Sequence, residues 1–566
     1  MLLSNMELIA TAPGGVAKLR ELILTLAVQG KLVPQDPADE PAGVLLQKIR
    51  AEKDRLIAEG KIKRDKPLAE IGEEEKPFEL PTQWEWVRLI DLMPEFQNGA
   101  SSRGDVGGTP ITVLRLADIK GKRISLADTR QVPIASADIA KYHLAEGDIL
   151  ITRVNGSADI VGQFNLCDRP VDAIYCDHFI RMRINQRWME PSFCALLGDS
   201  ALVRTAIKSL FITTAGQKTV NQGHIGSLQL PLPPLAEQSR IVTRVEALMR
   251  LCDALEAKGQ LEAAQHAQLV STLLGTLTAS TTPEELAANW LRVAQHFDLL
   301  LDRPEAIDAL EQTLLQLAVR GLLVPQDPTD EPASALLQKI RAEKDRLIAT
   351  GQIRRDKPLP PITDEEKPFE LPVGWEWVRV GQVASRVQYG VTASADHTQG
   401  VPKFVRITDI QNDQVNWDTV PGMQGATQDF SDHFLESGDL LVARTGGTIG
   451  KSFLVSSVPV NAVFASYLIR ISPTPSTDPS YLKIFASSGH YWQQLYAKSM
   501  GTSQPNVNGT ALSELTLPLP PLAEQSRIVT RVTALRRLCA DLRQRLAERE
   551  AVQARLAEAL VASVAA

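Results

Sequence analysis

At 566 residues the chain is too long for one compact core, and roughly three to four domain-sized units are expected. Apolar content of 44% and charged content of 22% belong to a folded protein and exclude wholesale disorder. The net charge of −7 excludes a strongly basic nucleic-acid footprint, so any such role must rest on motifs.

The N-terminal stretch MLLSNMELIATAPGG has no basic segment leading into a clean apolar run, so a secretory signal is not expected. Leu19, Leu22, Ile23 and Leu26 make a helical stripe that ends near Gly30, a common stop signal. QKIRAEKDRLIA follows as a charged helix, solvated on one face. From about 84 to 235 the pattern turns β-rich, with ITVLRL, GDILITR and AIYCDHFIRMRI between turn residues and one helix over SFCALLGDSALVRTAIKS. This segment carries 16 Lys/Arg against 15 Asp/Glu. Pro233-Pro234 then opens a helix whose Ile241, Val245, Leu248, Cys252 and Leu255 form an a/d seam. Thr282-Pro283-Glu284-Glu285 reads as an N-cap for a helix bearing Leu286, Trp290, Val293, Phe297 and Leu300.

The same order then repeats. Leu310, Leu314 and Leu317 precede Gly321, and QKIRAEKDRLIA returns. A second β-rich insert at 375–522 has PKFVRI, GDLLVAR and AVFASYLIRI, a helix over SYLKIFASSGHYWQQLYAKS, and 9 Lys/Arg against 11 Asp/Glu. Pro520-Pro521 opens a second seam of Ile528, Val532, Leu535, Cys539, Leu542 and Leu546. Residues 31–68 and 322–359 are identical at 31 of 38 positions, an offset of 291. EKPFELP and WEWVR recur at that offset, whereas PLPPLAEQSRIVTRV at 231–245 recurs unchanged at 518–532, an offset of 287. Between these blocks only fragments match, such as LAEGDILITR (144–153) with LESGDLLVAR (435–444). Two near-identical frames thus carry unlike inserts, which points to one mechanical task performed on two targets. The seam at Ile241–Leu255 is expected to pack antiparallel against its copy at Ile528–Leu546.

The doubled blocks AVQGKLVPQDPADEPA, LLQKIRAEK, EKPFELPTQWEW, the GD[IL]L strands and LxLPLPPLAEQSRIV resemble the specificity subunits of type I restriction-modification enzymes, over nearly the whole chain. The resemblance implies an α+β fold: two α/β target-recognition domains separated by long antiparallel coiled-coil helices, with an internal pseudo-two-fold duplication. The corresponding domains are a helical region at 1–83, a recognition domain at 84–235, a helical region at 236–374, a second recognition domain at 375–522 and a coiled-coil helix at 523–566. It also implies a non-catalytic chain that reads a bipartite, asymmetric site in double-stranded DNA, one domain per half-site. Two methyltransferase subunits and the motor-nuclease restriction subunits are the implied partners, in adenine-N6 methylation and phage defence. S-adenosylmethionine, ATP and Mg are expected in those partners and no cofactor in this chain. The competing readings are a helical protein–protein scaffold without DNA specificity and an enzyme with an unrecognised site.

Three polar segments occupy matching places in the two inserts and are the candidate DNA contacts. The first runs from Asn98 through Ser101 to Arg103 and aligns with Tyr389 to Thr392; small residues there let a backbone approach phosphate, and Arg103 or Tyr389 reaches further. The second follows the GD strand: Arg153 and Asn155, aligned with Arg444, Thr448 and Lys451. Arginine suits guanine and asparagine suits adenine in the major groove. The third is a loop with Gln217, Lys218 and Asn221, aligned with Gln504, Asn506 and Asn508. Each residue taken singly also fits turn capping or a solvated loop, so the expectation rests on the segments. PLPPLAEQSRIV itself reads as a junction that does not touch bases. Gly446-Gly447-Thr448-Ile449-Gly450-Lys451-Ser452 imitates a phosphate-binding loop, but Thr445 stands where that motif needs glycine. The histidines form no metal-binding spacing, and no metal is expected. Five cysteines (Cys167, Cys176, Cys194, Cys252 and Cys539) lack paired spacing and fit reduced thiols in the cytoplasm; no run of about 18 apolar residues suggests a membrane span.

Overall fold

The leading stripe of each half folds as the helix its spacing demands. The computed structural model describes residues 2–62, 70–101, 104, 107–214, 216–355, 357–397, 402–424, 430–499 and 506–565. These fall into two units, Met1–Glu262 with Glu550–Ala566, and Ala263–Arg549.

In the first unit, helix Gly15–Val28 buries Leu19, Leu22, Ile23 and Leu26 and stops before Gly30 at φ +71°. A Cβ on Gly30 would lie 2.5 Å from Pro81 and 3.1 Å from Trp84, so glycine is required both for the turn and for this approach. Helix Ala42–Ala58 follows. Strand Glu85–Arg88 pairs antiparallel with Gln229–Leu232, joining the start of the insert to its end. Between them lies a four-stranded sheet in the spatial order Glu95–Asn98, Phe179–Arg183, Ile149–Thr152, Phe164–Leu166. A three-stranded sheet places Thr109–Leu114 between Ala173–Tyr175, which is parallel to it, and Arg130–Ile134. The one helix expected here is two, Pro191–Asp199 and Ala201–Ser209. Ser200 breaks it: at ψ 150° its hydroxyl donates to the Leu197 carbonyl (2.6 Å) and accepts from Val203 N (3.4 Å).

The second unit repeats the plan. Helix Pro304–Val319 ends before Gly321, whose Cβ would strike Pro372 and Trp375, and helix Ala333–Ala349 follows. Glu376–Arg379 pairs with Thr516–Leu519. The four-stranded sheet runs Ala384–Tyr389, Leu468–Pro473, Leu440–Ala443, Ser452–Leu454. The expected single helix is again split, into Pro479–Phe485 and Gly489–Ser499. Thr282 caps helix Pro283–Ala294 through Glu285 N (3.2 Å), but Phe297 and Leu300 belong to a separate short helix, Phe297–Leu300.

The invariant LAEQSR block explains itself at the root of each long helix, Leu235–Ala279 and Leu522–Ala565. Glu237 accepts from Trp84 Nε1 (3.0 Å) and Gln35 Nε2 (2.7 Å); Glu524 accepts likewise from Trp375 (2.9 Å) and Gln326 (2.7 Å). Burial pushes both carboxyls up, and the two donors pull them back. Gln238 accepts from Glu190 N and Gln525 from Asp478 N, each at 2.8 Å, gripping the residue before an insert helix. Arg240 pairs with Asp39 and Arg527 with Asp330, both at 2.5 Å. One helical turn therefore ties the leading loop, the insert and the long helix together.

In the first unit Ile241, Val245, Leu248 and Cys252 share a cluster with Leu19 and Ile23 of the leading helix and with Ala557. In the second, Ile528 and Val532 join the core of the insert, whereas Cys539 and Leu546 cluster with Leu310 and Leu314 and with Val270, Leu274 and Leu277. Each seam first covers the leading stripe of its own frame. In each unit the early part of one long helix meets the late part of the other, the pairing of an antiparallel coiled coil. The architecture is α+β. Among the described residues, no helix is long and apolar enough to cross a membrane. The five cysteines are free, with Cys167, Cys194, Cys252 and Cys539 buried.

Candidate nucleic-acid interface

The three predicted segments converge in each insert. In the first, Gln222 Nε2 donates to Asn98 Oδ1 (3.1 Å), joining the end of strand Glu95–Asn98 to the third segment. Val220 N donates to Arg153 O (3.0 Å), and Lys218 pairs with Asn155 between strands Gln217–Thr219 and Val154–Asn155. Gln217 and Lys218 are thus strand residues, not loop residues. Gly216, at φ +76°, turns Ile212–Thr214 back onto Gln217–Thr219 as a hairpin. Lys218 Nζ donates to Gly156 O (3.1 Å), and Asn155 Oδ1 accepts from Ser157 N (2.9 Å). Ser101 is exposed, and Arg103 lies outside the described residues.

In the second insert Arg444 is the hub. Its Nε donates to Asn506 Oδ1 (3.2 Å), its guanidinium lies 5.0 Å from the centre of the Tyr389 ring, and its carbonyl accepts from Val507 N (3.1 Å). The Tyr389 hydroxyl accepts from Gly509 N (2.9 Å). Thr392 and Lys451 are exposed, Thr448 sits half-buried in the short turn Gly446–Thr448, and Gln504 lies outside the described residues. Asn221 and Asn508 are helix N-caps, their Oδ1 atoms accepting from His224 N (2.9 Å) and Ala511 N (2.8 Å). Their side chains build the turn.

A fourth segment lies against the first two of these three. AIYCDHFIRMRI and AVFASYLIRI read as single strands, yet each breaks at a turn, Cys176–His178 and Ala465–Tyr467. Phe179 N returns to Cys176 O (3.0 Å) and Leu468 N to Ala465 O (2.9 Å). The turn lies against the first segment through the parallel bridges Ala100↔Cys176 and Val391↔Ala465. It also meets the second segment: Arg153 N donates to His178 O (2.7 Å) and Arg444 N to Tyr467 O (2.9 Å). The polar pairs Asp177-His178 and Ser466-Tyr467, interrupting apolar runs, were the available signal. A Cβ on Gly99 would lie 2.0 Å from Cys176 O and one on Gly390 2.3 Å from Ala465 O, so these glycines admit the carbonyls of the turn. The donor atoms of Cys176, Asp177 and His178 lie within 4.8 Å of one another, a set able to ligate a metal, with no counterpart at Ala465-Ser466-Tyr467.

The family model described as the type I restriction modification DNA specificity domain matches residues 84–265 and 372–549. The chain belongs to the type I restriction-modification specificity subunits. It is a DNA-recognition subunit, and the reading as a scaffold without DNA specificity is not favoured. This member of the family is 36% identical to the specificity subunit of the type I restriction enzyme EcoAI from Escherichia coli, over 96% of this chain and 93% of that one. It is also 36% identical to the EcoEI specificity subunit of the same species, with the same coverage. The crystal structure of the HsdS subunit from Thermoanaerobacter tengcongensis is 18% identical, covering 87% of this chain and 98% of that one at a TM-score of 0.42.

Proposed function

We propose that the two loop clusters read the two halves of a bipartite, asymmetric DNA site, one insert per half-site. The observation that carries this reading is the convergence of the same segments on two frames whose buried parts are alike and whose exposed side chains differ. Arg153 and Asn155 in one insert, and Arg444, Thr448 and Lys451 in the other, are the side chains suited to base edges or phosphate. The helices dock two methyltransferase subunits and the restriction subunits, which hold S-adenosylmethionine, ATP and Mg and do the chemistry in the cytoplasm.

The inserts are close to neutral, so few phosphates are neutralised by this chain alone. The assembled complex with its modification partner is expected to bind duplex in a sequence-dependent manner, with log K falling steeply with log salt. The lone chain is expected to bind weakly with a shallower slope. Equal slopes, or binding by the complex that ignores sequence, contradict the proposal.

A further inference from the structure

The turns Cys176–His178 and Ala465–Tyr467 are built alike to the last backbone bond. Besides the bridges and the carbonyls held by Arg153 and Arg444, Ala100 N donates to Tyr175 O (2.9 Å) and Val391 N to Phe464 O (2.7 Å). Asp177 N donates to Ala100 O (3.0 Å) and Ser466 N to Val391 O (2.9 Å). The residues on either side are buried, with Phe179 at 0% and Leu468 at 1% exposure. A segment tied at both ends and along its length presents its side chains at fixed positions, which recognition requires. What it presents is wholly different in the two copies. His178 and Asp177 have side chains 52% and 48% exposed and form a pair at 3.2 Å; the other copy shows Ser466 and Tyr467, the tyrosine 62% exposed. Neither His178 nor Tyr467 is needed by a core, and both stand beside the arginine of the second segment.

We propose that this turn is a specificity-determining element, in which Tyr467 and His178 each contact base edges in the half-site that their insert reads. The inference rests on the reading of the loop clusters as the DNA face. The chemistry fits a groove. The tyrosine hydroxyl donates or accepts while its ring lies against a thymine methyl, and the imidazole, its Nδ1 facing Asp177, offers Nε2 to a base edge. A rigid backbone with exchangeable tips lets one frame accept a new half-site by changing two or three residues.

The test uses the full chain with its modification partner. The parental site is mapped from the methylated host genome, and methylation rates are measured on duplexes carrying each single base change. Tyr467→Ala is expected to lower discrimination about 5- to 150-fold at one or two adjacent base pairs of one half-site and nowhere else. His178→Ala is expected to do the same in the other half-site. With both side chains this exposed, thermal stability is expected to be unchanged. Tyr467→Phe separates the roles: discrimination kept assigns the contact to the ring, and discrimination lost assigns it to the hydroxyl. A Tyr467→Ala complex with parental discrimination at every position overturns the proposal, as does a uniform loss over all sequences, which marks a phosphate contact. Arg444→Ala is the control. If it alters sequence dependence while Tyr467→Ala does not, the DNA face stands and the turn falls. If neither variant has any effect, both readings fall.

Discussion

The two units solve one packing problem with opposite charges. In the first, Arg20 on the leading helix meets Asp253 and Glu256 on the long helix, both at 2.7 Å. In the second, the leading helix carries the acids: Arg543 on the long helix meets Asp308 (2.6 Å) and Glu311 (2.8 Å), and Arg536 also reaches Glu311 (2.9 Å). By the offsets of the duplication, Glu311 stands where Arg20 stands and Arg543 where Glu256 stands. Each pair is partly exposed and contributes at most about 1 kcal/mol. Their use lies in the wrong pairing: a leading helix laid on the other frame's long helix would set Arg20 against Arg543 and Glu256 against Glu311. Apolar stripes this similar cannot tell the frames apart; like charges can.

The largest break in the comparison is expected at the junction that each unit builds for itself from the same residues. Trp84→Ala removes a buried indole and leaves Glu237 short of a donor, a loss of about 3–5 kcal/mol. Hydrogen exchange is expected to rise sharply in the first unit and to stay at parental levels in the second. Loss of protection in both units alike would mean that they do not fold as separate frames.

Next comes acid. His490 is 3% exposed among Phe369, Trp377 and Phe485, and burial pushes its imidazole down from 6.5 to about 4. Helix Ala201–Ser209 of the first unit has no histidine. The folded state binds the proton less readily than the unfolded one, so this contribution is whole above about pH 6.5 and is lost as pH falls towards 4. The loss approaches about 3 kcal/mol, confined to the second unit. Exchange measured at pH 7 and pH 5 checks it, and His490→Leu is expected to remove most of the difference between the units, burial of His433 leaving a smaller part.

The smallest effect is the charge reversal. Arg20→Glu is expected to destabilise the first unit by about 1 kcal/mol, and adding Glu256→Arg, which copies the second unit, to restore most of that. Additive losses in the double variant would show that the sign of the pair is immaterial.

Much of this was legible because the duplication is. Unchanged blocks mark what must not move, and Glu237, Gln238 and Arg240 prove to hold three elements at one point. Gly30 and Gly321 were readable as helix stops, though the approach of Pro81 and Trp84 to the first was not, since sequence distance hides it. The partner of each seam was not legible from apolar spacing, because two interchangeable stripes offer several equally apolar partners. The deciding charges, Arg20 and Glu311, were visible but had no meaning without the facing helix. The polar segments are legible by their matching places in the two inserts, but not as neighbours of one another, since sequence distance hides that too. The fourth was hidden because a turn between two buried strands leaves a nearly continuous apolar run, interrupted only by Asp177-His178 or Ser466-Tyr467.

The central claim, that like frames carry exchangeable readers, has a direct test in the chain's own repeats. WEWVR opens both inserts and PLPPL closes both, so residues 375–522 can replace 84–235 with both junctions unchanged. With the modification partner present, methylation mapped across the host genome is expected to move to an interrupted palindrome, the second half-site facing its own inverse at the parental spacing. A site that keeps the first half-site, or one in which neither parental half is recognisable, would contradict the account.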